Sequence, residues 1–223
     1  MPVRSSIEKE LILSLTRDDL EKVLKAFAKK KEASSVKNKF SPRYYFDTPH
    51  LELNANNISL RVQYKTGVQD RLGEYEQTVK IPFGRTKKKV LKRKECKDVV
   101  EGYAPDIAHV SDKDAKAALK PFQDGALIHV FTATVKRRAI DLNLPEGKIE
   151  IAFDVGQLML TDGATHVDLV EIEIEVKRGS RHLISAIKKE IMALAPSAHI
   201  QTLSKAQLGA QLYLRHQTPP PGN

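Results

Sequence analysis

Val170-Glu-Ile-Glu-Ile-Glu-Val-Lys177 alternates without a break: Val170, Ile172, Ile174 and Val176 fall on one face of an extended strand, and Glu171, Glu173 and Glu175 fall on the other. Same-face neighbours on a strand stand roughly 6.5 to 7 Å apart. Two carboxylates at that spacing repel by about 0.6 kcal/mol in water and by about 2.4 kcal/mol at an effective dielectric near 20. On an open face the row costs little; inside an enclosure it needs cations nearby.

The same grammar recurs along the chain. Ile149-Glu-Ile-Ala-Phe-Asp154 sets Glu150 and Asp154 opposite Ile149, Ile151 and Phe153, and Ile7-Glu-Lys-Glu-Leu11 aligns Glu8 with Glu10. Basic strands follow suit: in Ile58-Ser-Leu-Arg-Val-Gln-Tyr-Lys65, Arg61 and Lys65 oppose Ile58, Leu60 and Val62, while Lys80 opposes Val79 and Ile81 and Arg93 falls in step with Glu95. Period-two alternation predicts strands over 7–15, 57–65, 74–82, 88–98, 130–142, 148–156 and 168–178, with another near 43–47. The turn chemistry of Asn143-Leu-Pro-Glu-Gly147 makes its flanking strands antiparallel.

Helices interrupt this pattern. Thr16 and Asp19 form an N-terminal signal ahead of Leu20, Val23, Leu24 and Phe27 at helical spacing; Ser180 precedes Leu183, Ile184, Ile187, Ile191 and Leu194; Ser204 and Gln207 make a capping box before Leu208 and Leu212; and a shorter helix starts after Ser111. The expected fold is therefore α+β and mainly antiparallel β. Helices cover the apolar face, and acids and bases share the other. If the sheet curls into a barrel, both signs of charge line its lumen.

With 223 residues, 41% hydrophobic and 29% charged, the chain is an ordinary globular one. The 37 Lys and Arg against 28 Asp and Glu leave a net charge of +9. Bases gather at Lys29, Lys30, Lys31, Lys37, Lys39 and Arg43, and again at Arg85, Lys87, Lys88, Lys89, Lys92, Arg93, Lys94 and Lys97. Such runs imply anionic partners. The bland alternative is a solvated face, or an open basic sheet drawn to nucleic acid, although the absence of Trp argues against stacked bases. The single Cys96 reads as packing and points to a reducing compartment. No run spans a bilayer and no signal peptide precedes Ile7, so a cytoplasmic protein without membrane contact is expected. No Gly-rich phosphate loop, Gly-x-Ser-x-Gly elbow or His-Glu-x-x-His pair is present. Clustered carboxylates beside Arg and Lys match a phosphate chain carrying Mg²⁺ or Mn²⁺.

In the order Glu8-Lys-Glu10, Tyr44-Tyr-Phe-Asp-Thr-Pro49, Ile58-Ser-Leu-Arg61, Thr78-Val-Lys80, Arg93-Lys-Glu95, Arg137, Ile149 to Asp154, Glu171 to Glu175 and Ser204-Lys205, the chain resembles the CYTH family, the triphosphate tunnel metalloenzymes, and most closely the bacterial inorganic triphosphatases. The resemblance runs over about residues 7 to 214. It implies an eight-stranded antiparallel β-barrel tunnel with flanking helices over residues 1–215, followed by a Pro-rich tail or linker over 216–223. It implies Glu10 and Glu173 as catalytic residues and Glu8, Glu10, Asp154, Glu171, Glu173 and Glu175 as ligands of Mg²⁺ or Mn²⁺, with Glu150 in support. Arg61, Lys80, Arg93, Arg137 and Lys205 would grip phosphates. The implied reaction is in-line attack of water, oriented by a carboxylate, on the terminal phosphorus of tripolyphosphate or a nucleoside or thiamine triphosphate. Thiamine triphosphatase and class IV adenylate cyclase activities, or phosphate binding without turnover, belong to the same resemblance. Two positions depart from the pattern: Ile12 stands where the signature has Lys, and Gln63 where a second Arg often follows Leu-Arg. Lys65 or Arg138 are candidates to restore the missing charge.

Overall fold

The hairpin at Asn143 to Gly147 is where the barrel wall is longest. In the computed structural model, which describes residues 4–65, 73–84 and 90–217, it joins two strands that pair antiparallel from Phe131–Leu160 to Leu144–Gly147. Gly147 has φ 156°, and a Cβ there would lie 2.2 Å from the Arg178 carbonyl of the next strand, so only glycine fits the crossing.

The strands are β1 (Arg4–Ser14), β2 (Lys37–Phe40), β3 (Arg43–Asp47), β4 (Ser59–Lys65), β5 (Glu74–Pro82), β6 (Leu91–Val100), β7 (Ile128–Leu144), β8 (Gly147–Leu160), β9 (His166–Gly179) and β10 (His199–Gln201). Eight of them pair in the circuit β1-β6-β5-β4-β3-β7-β8-β9, and β9 returns to β1, which closes an antiparallel barrel with no free edge. β2 extends the β3 edge along the far half of β7, and β10 adds to the end of β1. All eight wall strands correspond to segments read from alternation. The short β2 and β10 carry no such pattern: every residue of β2 is exposed.

The helices are α1 (Arg17–Phe27), α2 (Glu52–Ala55), α3 (Lys113–Leu119), α4 (His182–Leu194) and α5 (Lys205–Gln217). Thr16 caps α1 by accepting from the Asp19 amide, and Asp112 caps α3 by accepting from the Asp114 and Ala115 amides. Leu20, Val23, Leu24 and Phe27 of α1 and Ile184, Ile187 and Ile191 of α4 bury their stripe against the outward face of β1, β7, β8 and β9. Each such side chain contributes about 1.5–3 kcal/mol relative to exposure. α3 covers the outward face of β4, β5 and β6, where Cys96 is packed among Val79, Val100 and Leu119. Burial pushes the Cys96 thiol up to about 12, so it is an inert packing residue at neutral pH.

α5 does something different. Its Gly209 and Ala210 pack against Tyr45, Phe131, Ala133 and Leu158, which point into the barrel, so the helix plugs one end. The start of α5 matches the capping box: the Ser204 amide donates to Gln207 Oε1 at 2.9 Å, and the Gln207 amide donates back to Ser204 Oγ. Ser180 accepts from the His182 amide at 3.3 Å, one residue outside the α4 N-cap. α5 runs to Gln217, and the tail from Thr218, like Arg85, Lys87, Lys88 and Lys89, lies outside the described residues. No helix among the described residues is long and apolar enough to cross a membrane.

Candidate functional site

Closure of the sheet turns its charged faces toward one another. The open-sheet arrangement is thereby replaced by a cavity of about 630 Å³ lined by side chains from all eight wall strands and the start of α5. Glu8, Glu10, Arg61, Lys80, Arg93, Arg137, Glu150, Glu173, Glu175 and Lys205 line it, and Asp154 and Glu171 are buried immediately behind Lys205. A larger, mostly apolar groove beside α3 carries none of these residues.

Strand register sets the acidic side of the wall. Glu10, Glu175 and Glu150 are cross-strand partners on β1, β9 and β8. Glu173 follows one pleat along, between Ile12 and Ala152, and Glu171 pairs with Asp154 one pleat further. Carboxylate oxygens of Asp154, Glu171 and Glu173 all lie within 4.8 Å of one another. The Lys205 ammonium reaches into that trio, 2.9 Å from Asp154, 2.6 Å from Glu173 and in contact with Glu171. Arg137 grips Asp154 through two bonds of 2.7 and 2.6 Å and also donates to Glu173. Opposite them, Lys80 sits 2.6 Å from Glu8 and 3.4 Å from Glu95, Arg93 pairs with Glu10, and Arg61 lies 3.6 Å from Glu95.

These neighbours decide the protonation states. Burial pushes Glu8 up to about 7 against the pull of Lys80, and pushes Glu171 up to about 7 against the pull of Lys205. Burial also raises Glu10 and Glu173, but cations outweigh it: Lys80 and Arg93 hold Glu10 below the usual carboxylate range, and Arg137 and Lys205 hold Glu173 well below it. Burial depresses Lys205, yet Asp154, Glu171 and Glu173 more than reverse that and keep it protonated. Glu175 is raised by burial and by Glu10 and Glu150 nearby, against Lys177.

The suggested compensations for Ile12 and Gln63 resolve differently. Arg138 does not enter the cavity: it lies on the outward face and makes a bidentate pair with Glu21 of α1, because residues 137 and 138 of one strand must face opposite ways. Lys65 lines the cavity but is paired with Glu76. Ile12 keeps its lumen position beside Glu173, buried and 2% exposed.

Several wall residues stood in sequence only as members of basic clusters or motif segments, with no site role of their own. Arg43, Tyr45, Glu95 and Lys97 all face the lumen or its plugged end. Tyr45 stacks on Phe131 with ring centroids 4.4 Å apart, and its hydroxyl accepts from Arg61 at 3.5 Å. Burial raises its phenol pKa, but Arg61, Arg43 and Lys205 together bring it below the ordinary value. Arg43 stood out only as a member of a basic cluster, and the alternation of β3 could have placed it with Tyr45.

Comparison with known proteins agrees with this geometry. The profile of the CYTH domain matches residues 6–209. No curated protein matches the chain. Among solved structures, a Bacillus halodurans protein described as an adenylate cyclase candidate superposes with a TM-score of 0.60 at 16% identity, covering 92% of this chain and 97% of its own. A Hippeastrum adenylyl cyclase candidate described as having a dominant triphosphatase activity gives 0.57 at 12% identity, covering 92% and 95%. A Pyrococcus horikoshii protein gives 0.54 at 18%, covering 92% and 98%. At these identities the likeness is one of fold.

Proposed function

The chain belongs to the CYTH domain family, and from that premise we propose that it hydrolyses the terminal phosphoanhydride of inorganic tripolyphosphate or a related triphosphate in the presence of Mg²⁺ or Mn²⁺. The observation that carries this reading is the convergence of Arg43, Arg61, Lys80, Arg93, Arg137 and Lys205 on one cavity beside Glu10, Glu173 and Glu175. Guanidinium and ammonium donors gathered in this way match the oxygens of a phosphate chain.

The donor set fits a hard divalent ion, because Glu10, Glu150, Glu173 and Glu175, close together in the register, offer carboxylate oxygens. Glu173, with Glu10 and Glu175 beside it in the register, would hold it, while Asp154 and Glu171 keep Lys205 and Arg137 in place. When bound, the ion supplies neutralisation of phosphate charge. The protein's own groups do the rest. Arg61, Lys80, Arg93, Arg137 and Lys205 bind the phosphate oxygens and fix the chain in line, so that catalysis is positioning plus charge stabilisation. Glu10 and Glu173, held deprotonated, accept a hydrogen bond from the attacking water and orient it. Water oxygen bonds to the terminal phosphorus, the bridging P–O bond breaks, the water's proton passes to solvent or to a carboxylate, and orthophosphate and the shortened chain leave. The α5 plug excludes bulk water from one end.

A second reading, binding without turnover, has one observation in its favour: Ile12 leaves Glu173 without the signature base on β1. Phosphate release from tripolyphosphate, ATP and thiamine triphosphate, each with Mg²⁺, Mn²⁺ or EDTA, separates the two. Metal-dependent release that falls at least 100-fold in Glu173→Gln is expected. Micromolar binding with no release from any of the three selects the second reading, and neither binding nor release refutes both.

A further inference from the structure

Gln63 stands where the family resemblance leads one to expect a second Arg, and the strand register shows what lies next to it. Antiparallel pairing of β3 with β4 sets Arg43 opposite Gln63, and both line the cavity. Building on the triphosphate reading, we propose that Arg43 supplies the phosphate-binding cation that position 63 lacks, gripping the substrate's polyphosphate chain from the neighbouring strand.

Four arginines line the cavity, and three have a carboxylate: Arg61 faces Glu95, Arg93 pairs with Glu10, and Arg137 pairs with Asp154 and Glu173. Arg43 has no ion pair or side-chain hydrogen bond among the described residues. Its register partners are Gln63 on one side and Ala133 on the other, neither of which carries charge. Gln63 itself turns away, donating to Glu76 at 3.4 Å, and Glu76 is already taken by Lys65. The Arg43 Nε is buried without a partner.

The surrounding charge makes the vacancy informative. Burial lowers the Arg43 pKa, and Arg61 and Arg137 lower it further, with Tyr45 and Asp154 only smaller counterweights. A wall-stabilising arginine sits beside an acid; this one sits among cations. The arrangement is unfavourable in the resting protein and becomes favourable when an anion bridges Arg43, Arg61 and Arg137. Arg43 also needs to break no existing pair in order to take a phosphate oxygen, unlike its three counterparts.

The test compares the wild type with Arg43→Gln, Gln63→Arg and the double exchange, using inorganic tripolyphosphate with Mg²⁺ in calorimetry at fixed ionic strength, and thermal melts of the ligand-free proteins. Loss of one charged phosphate contact should weaken binding about 10- to 100-fold in Arg43→Gln. The double exchange should recover affinity to within a few-fold of wild type. The ligand-free Arg43→Gln protein should melt at or above the wild-type temperature, because a cation facing cations is gone. Unchanged affinity in Arg43→Gln, a double variant as weak as the single one, or a ligand-free melting temperature several degrees below wild type would overturn the assignment and leave the triphosphate reading intact. A wild type that does not bind tripolyphosphate refutes that reading and the role of Arg43 together.

Discussion

Replacing Lys205 with Met keeps an unbranched side chain one atom shorter and removes the charge that contacts three carboxylates in the barrel. The ammonium lies 2.9 Å from Asp154 and 2.6 Å from Glu173 and also contacts Glu171. At an effective dielectric near 20, each contact at such a distance is worth roughly 6 kcal/mol of attraction before desolvation. Desolvation offsets most of this, and removing one partner from a buried cluster costs about 3–5 kcal/mol net. The loss carries a pH signature. Glu171, raised to about 7 with Lys205 present, moves higher without it, so the folded variant binds a proton that the unfolded chain releases near its ordinary pKa. Stability then falls with rising pH through a window that extends past 7 in the variant and ends near 7 in the wild type. The deficit at pH 8 should exceed that at pH 6 by about 1–2 kcal/mol. Urea unfolding followed by far-ultraviolet circular dichroism, with EDTA present at both pH values, measures it. A deficit below about 1 kcal/mol, or one that is the same at pH 6 and pH 8, would refute the view that Lys205 neutralises this trio.

Two further outcomes follow from the same wall. Glu8 and Glu171, both raised to about 7 by burial, make the ligand-free protein lose stability as pH rises from about 4.5 to 7, while Glu10, Glu95, Glu173 and Asp154, all held low by cations, make it lose stability as pH falls below their ordinary values. Thermal melts in EDTA should therefore show a maximum between about pH 4.5 and 6, and a melting temperature that climbs steadily to pH 8 contradicts this. Gly209→Ala would place a Cβ 2.2 Å from the Phe131 ring. The clash, about 1–3 kcal/mol, should outweigh the roughly 1 kcal/mol that Ala gains over Gly in a helix. A lowered melting temperature is expected, together with slower phosphate release as α5 and Lys205 shift, and a variant more stable than wild type would show that the plug is loosely seated.

The wall strands were legible because both of their faces carry a pattern: Leu11 and Leu13 alternate with Glu10 and Ile12, and Ile172 and Ile174 with Glu171 and Glu173. β2 and β10 were not, since four exposed residues and three at a strand end have no buried face to mark them. Alternation says which residues share a face but not which residues on different strands meet. Arg138, next to Arg137 on one strand, was excluded from the lumen by alternation itself; the missing cross-strand register is why Arg43 was passed over. Its partner across the register is Gln63, twenty residues away, and nothing local announces the pairing. The role of α5 was half legible: the Ser204 and Gln207 box located its start, but the apolar interior that it plugs comes from Tyr45, Phe131 and Leu158 on three separate strands.

Charge balance ties these features to the proposed chemistry. Among the described residues, ten basic and seven acidic side chains line the cavity, and with Asp154 and Glu171 behind them the formal balance, all carboxylates counted as ionised, is a single positive charge. A triphosphate entering alone would make the enclosed space strongly negative, and each uncompensated like-charge contact near 5 Å would cost about 3 kcal/mol at an effective dielectric of 20. A divalent ion would supply the charge that restores the balance. At rest Arg93 pairs with Glu10 and Arg137 with Glu173; on the proposed reading these bases would turn to phosphate, and Glu10 and Glu173 would be the carboxylates left to hold the ion. Neither half is favourable without the other, because a freed carboxylate with no cation, or a freed guanidinium with no anion, is a buried unpaired charge. Metal dependence on this reading is a property of how the wall is paired at rest. Among the described arginines that line the cavity, Arg43 makes no ion pair, so on the proposed reading it would meet the phosphate chain before any pair had opened.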